Sequence, residues 1–340
     1  MEHIIAKLLQ DFERGHMTRR QLIQSLALAA TTATAAAAPS AATTVSAPGA
    51  DEGTGFTALA VNHISYQVKD YTKTRDFYSS LLGMKVTQDN GRQCYLTFGD
   101  HGSWLLPRNA RDAAQAPRVD HIAYTIKAWN KDRVEAELRR RGLDPRVDTE
   151  NSFHVKDPDG FDLQISNGSM KNRRKSAANG KTSAPAPFEN TNWKTVWLDH
   201  ISFQCSNYKE SVAFYNALLG WKLGKDTGRQ NQCEIGDVGG IIIRAGGGGR
   251  GADPNAPPPP RHATIDHISF GIQPWDPDAV KTELDKRGLR AQIDTGNGGD
   301  IHTAAFQSYH TTTPEGFDLQ ISFVTKANRN AGSGAPSEDE

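Results

Sequence analysis

Val61-Asn62-His63-Ile64-Ser65-Tyr66-Gln67 returns 137 positions later (63 to 200) as Leu198-Asp199-His200-Ile201-Ser202-Phe203-Gln204. At the same offset Asp76-Phe77-Tyr78-Ser79-Ser80-Leu81-Leu82-Gly83 returns as Ala213-Phe214-Tyr215-Asn216-Ala217-Leu218-Leu219-Gly220, and Gly91-Arg92-Gln93 as Gly228-Arg229-Gln230. An internal repeat of this length means a duplicated structural unit. Phe161-Asp162-Leu163-Gln164-Ile165-Ser166 recurs unchanged as Phe317 to Ser322, now 156 positions on (161 to 317), so the second copy carries nineteen extra residues. Two loops are candidates for them, one running from Gly246-Gly247-Gly248-Gly249 through Pro257-Pro258-Pro259-Pro260, the other from Gly296 to Gln307. The glycine run lacks a following Lys-Ser/Thr, so it reads as a flexible loop and not a phosphate cradle.

A second repeat is nested inside each copy. Asp120-His121-Ile122-Ala123-Tyr124 and Asp266-His267-Ile268-Ser269-Phe270 echo the opening strand. All four strands alternate, placing His, Ser/Ala and Gln/Thr on one face and Ile with Tyr/Phe on the other. Helical spacing follows each strand: Phe77 and Leu81 before Gly83, Val134 and Leu138 before Gly142, Val280 and Leu284 before Gly288. The glycines read as helix stops, and Asp276-Pro277 as an N-cap with its N1 proline. Short alternating segments such as Cys94 to Phe98 and Trp104-Leu105-Leu106 come next, so the unit reads βαβββ, used four times. The expected class is α+β.

At 340 residues the chain has the length of about two domains. Lys+Arg 39 balances Asp+Glu 39, which argues against a nucleic-acid binder. No apolar run reaches the roughly eighteen residues of a membrane span. Three cysteines without a CxxC exclude a disulfide framework and a thiolate zinc cluster; Cys94, Cys205 and Cys233 read as buried small hydrophobes. Thr18-Arg19-Arg20-Gln21-Leu22-Ile23-Gln24 precedes a short Ala/Thr-rich apolar stretch, Leu26 to Ala38. This resembles a twin-arginine export signal, giving residues 1–50 as signal and small-residue linker and a periplasmic or secreted location. The expected domains are 58–168 and 197–324, joined by a basic tether over 169–196 and followed by a polar tail over 325–340. Leaving out residues 1–50, 167–196 and 324–340, the chain holds 27 Lys and Arg against 32 Asp and Glu. The overall neutrality therefore hides two mildly acidic domains, which suits cation binding.

Paired βαβββ units with His on the first strand, His on the fifth and Asp157-Pro158-Asp159-Gly160 before the last strand resemble the vicinal oxygen chelate superfamily. It includes glyoxalase I, bleomycin-resistance proteins, fosfomycin-resistance enzymes, methylmalonyl-CoA epimerase and the extradiol dioxygenases. The resemblance covers roughly residues 60–166 and 197–323. It implies two cup-shaped mixed β-sheet domains, a layout most like the dioxygenases. It also implies a divalent metal held by inward residues of the first, fifth and last strands: His63, His121 and Gln164 in cup one, His200, His267 and Gln320 in cup two. Fe(II) or Mn(II) is favoured, and Zn(II) or Ni(II) also fits. The superfamily's usual third ligand is Glu, and both cups depart from it in the same way. A glutamine oxygen removes one negative charge, so affinity should fall while the ion's Lewis acidity rises. Asp162 and Asp318, two residues earlier on the same strand face, are candidates for the missing carboxylate, directly or behind the ligands.

Ser152-Phe153-His154 matches Ser308-Tyr309-His310 at the 156 offset. Extradiol dioxygenases place a tyrosine there, near the substrate oxygen, which makes His154 and His310 candidate catalytic donors. His302, on the inserted loop of the second copy, is a third candidate acid/base. Cup two is therefore the better equipped. The expected function is a metal-dependent enzyme acting on a small oxygen-chelating substrate, by extradiol-type ring cleavage or by lyase or isomerase chemistry. A metal-free binding protein of the bleomycin-resistance type is the alternative. Export disfavours chemistry that needs cytoplasmic glutathione or coenzyme A. A small molecule is the expected partner, and self-association is left open.

Overall fold

The opening repeat forms strand β1 (Ala58–Val68), which buries Ile64, Tyr66 and Val68 on one face and carries His63, Ser65 and Gln67 on the other. In the computed structural model residues 53–99, 102–112, 114–168, 188–236, 239–246 and 261–328 are described. The expected export signal over residues 1–50, most of the basic tether, most of the Gly/Pro loop and most of the tail lie outside them. Asp70 caps the N-terminus of α1 (Tyr71–Leu82), and Gly83 ends it in the left-handed region, as its place after the apolar spacing predicts. A side chain at Gly83 would also meet the Trp193 carbonyl at 1.9 Å, so both conformation and space require glycine. Strands β2 (Lys85–Asp89), β3 (Cys94–Phe98) and β4 (Ser103–Asn109) complete the first unit. The second unit is β5 (Arg118–Ile126), α2 (Lys131–Arg140), β6 (Arg146–Thr149), β7 (Ser152–Lys156) and β8 (Asp162–Ser166).

The second copy repeats this as β9 (Lys194–Cys205), α3 (Tyr208–Leu219), β10 (Gln230–Glu234), β11 (Gly240–Ala245), β12 (Ala263–Gln273), α4 (Pro277–Lys286), β13 (Gln292–Asp294), β14 (Ser308–Thr312) and β15 (Asp318–Ser322). Sheet one runs β2-β3-β4-β1-β5-β8-β7-β6 and sheet two β10-β11-β9-β12-β15-β14-β13, both mixed. The expected βαβββ pattern holds except after α3. There the strand shrinks to isolated bridges, Lys222 to Glu234 and Asp226 to Asn231. Lys222, Gly224, Lys225 and Asp226 supply no alternating apolar face to anchor a longer strand. The nineteen extra residues divide between both candidate loops. The offset is 146 at β13 (148 to 294) and 156 at β14 (152 to 308), so ten lie in the loop before β14. The other nine lie between β9 and β12.

The helices cover the apolar faces: each copy's first helix packs on strands of its own sheet and also reaches the other copy's sheet through an aromatic side chain. Tyr78 of α1 meets Phe270 of β12, and Tyr215 of α3 meets Tyr124 of β5. The turns before β8 and β15 lock this exchange. Asp157 Oδ2 accepts from Tyr215 Oη at 3.0 Å and Asp159 Oδ2 from Ser211 Oγ at 3.4 Å. Reciprocally, Glu315 Oε1 accepts from Thr74 Oγ1 at 2.5 Å. Among the described residues a large apolar core shared by both sheets results, with a small second cluster of Ala60, Trp197 and Val324. The opposite faces are thereby left to the histidines. Among the described residues no helix is long and apolar enough to cross a membrane.

Candidate metal centre

In each sheet the two histidine-bearing strands, β1 with β5 and β9 with β12, pair antiparallel, so their histidines meet. His63 Nε2 lies 3.1 Å from His121 Nε2, and His200 Nε2 lies 2.9 Å from His267 Nε2. Two imidazoles bound side by side on one ion, each at about 2.1 Å, would stand about 3 Å apart. The Nδ1 atoms face away and are held by the residue immediately before each histidine. Asn62 Oδ1 meets His63 at 2.8 Å, Asp120 meets His121 at 2.8 Å, Asp199 meets His200 at 3.0 Å and Asp266 meets His267 at 2.9 Å.

Neighbours along a strand normally point to opposite faces, so such bonds need a break in the pleat. β-Bulges supply it: Asn62 and Asp120 are the extra residues in the β1–β5 pairing, Asp199 and Asp266 in the β9–β12 pairing. Gln67 and Gln204, four residues after the first histidine of each cup, donate at 2.7 Å to Asp120 and Asp266 and hold them in place. Backing of this kind fixes the ring orientation and presents Nε2 as the acceptor a metal requires. Burial lowers the pKa of His121 and His267 against the pull of Asp120 and Asp266, which favours the neutral ligand form.

The third expected position lies on the next strand of each sheet, β8 beside β5 and β15 beside β12. Gln164 and Gln320 are buried on β8 and β15, each with an Oε1 that meets no hydrogen-bond partner. Two facing imidazoles and an unpartnered amide oxygen fit a divalent ion of borderline softness. Among the described residues no three His, Cys, Asp or Glu side chains gather as a ligand set, so any such site depends on the glutamine.

His154 and His310 lie opposite the glutamines in the β7–β8 and β14–β15 pairings. Their rings stand 4.8 Å from His121 and 5.0 Å from His267. Asp162 and Asp318 go to these third histidines, at 2.5 and 2.7 Å from Nδ1. His310 Nε2 also meets Asp294 Oδ2 at 3.3 Å. Burial opposes a charge on His310, but the two carboxylates outweigh it and push its pKa up to about 9. His302 stands apart: it is half exposed, bonded to Asp300 at 2.8 Å and to Asp278 at the start of α4 at 3.0 Å.

The cups differ in three ways. Cup two has Asp199 where cup one has Asn62. In cup one Asp120 and Asp162 are paired with Arg108, Arg118, Arg146 and Lys156, whereas in cup two, among the described residues, Arg244 and Arg290 pair with Asp266 and Asp318. In cup one Trp104 sits opposite His63 and stacks on it at 5.1 Å, with Tyr95 stacked on Trp104 at 5.3 Å. Gly240 takes the Trp104 place opposite His200, leaving that side of cup two without a ring. A cleft of about 580 Å³ lined by Arg118, Lys156, Arg261 and Phe317 reaches Asp120 and Asp162, behind the histidines of cup one.

Sequence reasoning missed Asn62, Asp120, Asp199 and Asp266 because strict alternation assigns them to the apolar face, beside Ile64, Ile122, Ile201 and Ile268. Their signal was the Asn/Asp-His dipeptide, present in all four strands. It also missed Asp148 and Asp294, which repeat as Asp148-Thr149 and Asp294-Thr295.

A profile of the Glyoxalase/Bleomycin resistance protein/Dioxygenase superfamily matches residues 60–165 and 197–321. The chain belongs to this superfamily. Metallothiol transferase FosB of Staphylococcus saprophyticus is 27% identical over 128 residues, 34% of this chain and 80% of the relative. Biphenyl-2,3-diol 1,2-dioxygenase 2 of Rhodococcus globerulus is 30% identical over 135 residues, 35% of this chain and 68% of the relative. Among solved structures, the Mn(II)-bound glyoxalase from Novosphingobium aromaticivorans shares the fold with TM-score 0.55 at 18% identity, covering 78% of this chain and 82% of its own. A variant of homoprotocatechuate 2,3-dioxygenase from B. fuscum gives TM-score 0.58 at 15% identity, covering 83% and 75%. The superfamily's two-cup layout thus extends over most of the chain.

Proposed function

We propose that the protein is a divalent-metal-dependent enzyme acting on a small substrate with two neighbouring oxygens, with cup two as the working site. The carrying observation is the His200–His267 pair, with carboxylates on both Nδ1 atoms and an unpartnered Gln320 oxygen on the neighbouring strand β15. Cup two is favoured over cup one by the Asp199 carboxylate, its two fewer paired cations and Gly240. His200, His267 and Gln320 would hold Fe(II) or Mn(II), which when bound supplies Lewis-acid polarisation of the substrate oxygens.

The protein's own residues do the rest. Asp199 and Asp266 keep the imidazoles oriented, and the buried first and fifth strands exclude water from one side. His310 holds a proton between Asp294 and Asp318 and can offer it to a substrate oxygen from Nε2. Extradiol-type ring cleavage of a catechol is the most concrete form of this chemistry, supported by the dioxygenase relative and the four-unit layout. The twin arginines at Arg19-Arg20 support export to the periplasm or beyond, where a catechol needs no cytoplasmic thiol as cosubstrate.

The test is anaerobic loading with Fe(II), followed by catechol and air, watching oxygen uptake and a yellow ring-fission product. Turnover that disappears in His267→Ala supports the reading. Metal uptake without catechol turnover would move the chemistry to a lyase or isomerase, and refusal of both Fe(II) and Mn(II) would leave a metal-free binding protein.

A further inference from the structure

Both glutamines are clamped from behind by a carboxylate of the edge strand. Gln320 Nε2 donates to Asp294 Oδ2 at 3.1 Å and to Ser308 Oγ at 2.7 Å; Gln164 Nε2 donates to Asp148 Oδ2 at 3.1 Å. A carboxylate accepts and does not donate, so only the amide N–H can face it, and the amide oxygen is turned the other way. Gln164 and Gln320 are 4% and 1% exposed, and Oε1 meets no partner in either cup. An orphaned polar atom this deep is costly unless something binds it. The same pairing occurs twice, in copies whose surrounding loops differ by ten residues, so it is a property of the site and not of one loop.

We propose that Asp148 and Asp294 are positioning residues that aim Gln164 and Gln320 Oε1 at the metal. Glutamine and aspartate then act as one unit, with the negative charge that a ligand glutamate would carry moved outward by one hydrogen bond. The inference rests on the metal reading above. It has a consequence opposite to the one the superfamily pattern suggests, because the usual glutamate cannot simply be restored. Gln320→Glu would set two carboxylates at hydrogen-bond distance with no proton between them, so the new side chain must take up a proton or swing away from the ion. Asp294→Asn would relieve it, since the new amide can donate to the glutamate.

The experiment compares the full chain, the Gln164→Glu/Gln320→Glu variant, and the same variant carrying Asp148→Asn/Asp294→Asn. Mn(II) binding is followed by the electron paramagnetic resonance of the free ion. Urea midpoints are taken in EDTA at fixed pH, which needs no metal. The two-glutamate variant is expected to bind Mn(II) no more tightly than the unaltered chain and to unfold at lower urea. Adding the two asparagines should restore the midpoint and tighten Mn(II) binding by about tenfold over the two-glutamate variant. Two glutamates alone binding tenfold tighter than the unaltered chain, or an unchanged midpoint in EDTA, would overturn the positioning role. Absence of Mn(II) uptake by the unaltered chain, with the midpoints moving as expected, would instead overturn the metal reading.

Discussion

Replacing Asp157 with asparagine is expected to stabilise the protein at neutral pH, although it removes a charge that makes three hydrogen bonds. Asp157 is buried in the turn before β8, accepting from the backbone N–H of Asp159 and Phe161 and from Tyr215 Oη of the other copy's helix. Burial raises its pKa from 3.8 to about 6, against the lowering effect of those bonds, and neighbouring Asp159 adds to the rise. A raised folded-state value means the protonated form is the one the native structure prefers. The group's contribution is therefore full below about pH 4 and is lost as pH climbs through 6. Two pKa units correspond to about 3 kcal/mol. An asparagine keeps an oxygen for the two backbone donors and an amide for Tyr215, and it never ionises. Urea unfolding at pH 8 should show Asp157→Asn more stable by up to about 3 kcal/mol, with the difference shrinking towards zero by pH 4.5. A variant equally destabilised at both pH values would refute the reasoning and show that the carboxylate's bonds outweigh its burial.

Asp199→Asn gives cup two the backing residue of cup one and should weaken Mn(II) binding there by about 10–100-fold, read by isothermal titration. His267→Ala should remove the cup-two ion and leave cup one unchanged, checked by metal analysis after dialysis against excess Mn(II). Gly83→Ala meets both a left-handed backbone and the Trp193 carbonyl at 1.9 Å, so a loss of more than about 2 kcal/mol is expected in thermal or urea unfolding. Trp104→Gly copies Gly240 into cup one and should open the stacked face of His63; a small catechol should then protect cup one in hydrogen exchange, and should not protect it in the unaltered chain.

The fold was legible because its unit recurs four times. His63, His121, His200 and His267 fall at equivalent strand positions, and the apolar alternation beside them fixes which face meets the helices. What the sequence concealed was non-local. Tyr78 and Tyr215 give no sign that α1 and α3 also reach the other copy's sheet, since a helix pattern records a buried face and not its partner. At the site, regular alternation was the misleading rule. It places the histidines correctly but turns Asn62, Asp120, Asp199 and Asp266 towards the apolar core, and only the paired register reveals the bulges that bring them back. Asp162 and Asp318 were expected near the metal and instead lie behind His154 and His310. Asp148 and Asp294 come from short edge strands with little pattern to read.

Anomalous diffraction at the manganese edge, from crystals grown with Mn(II), tests the central claim most directly. A peak in cup two between His200 Nε2, His267 Nε2 and Gln320 Oε1, stronger than any in cup one, is the predicted result. Full Mn(II) occupancy elsewhere on the molecule with neither cup occupied would contradict it.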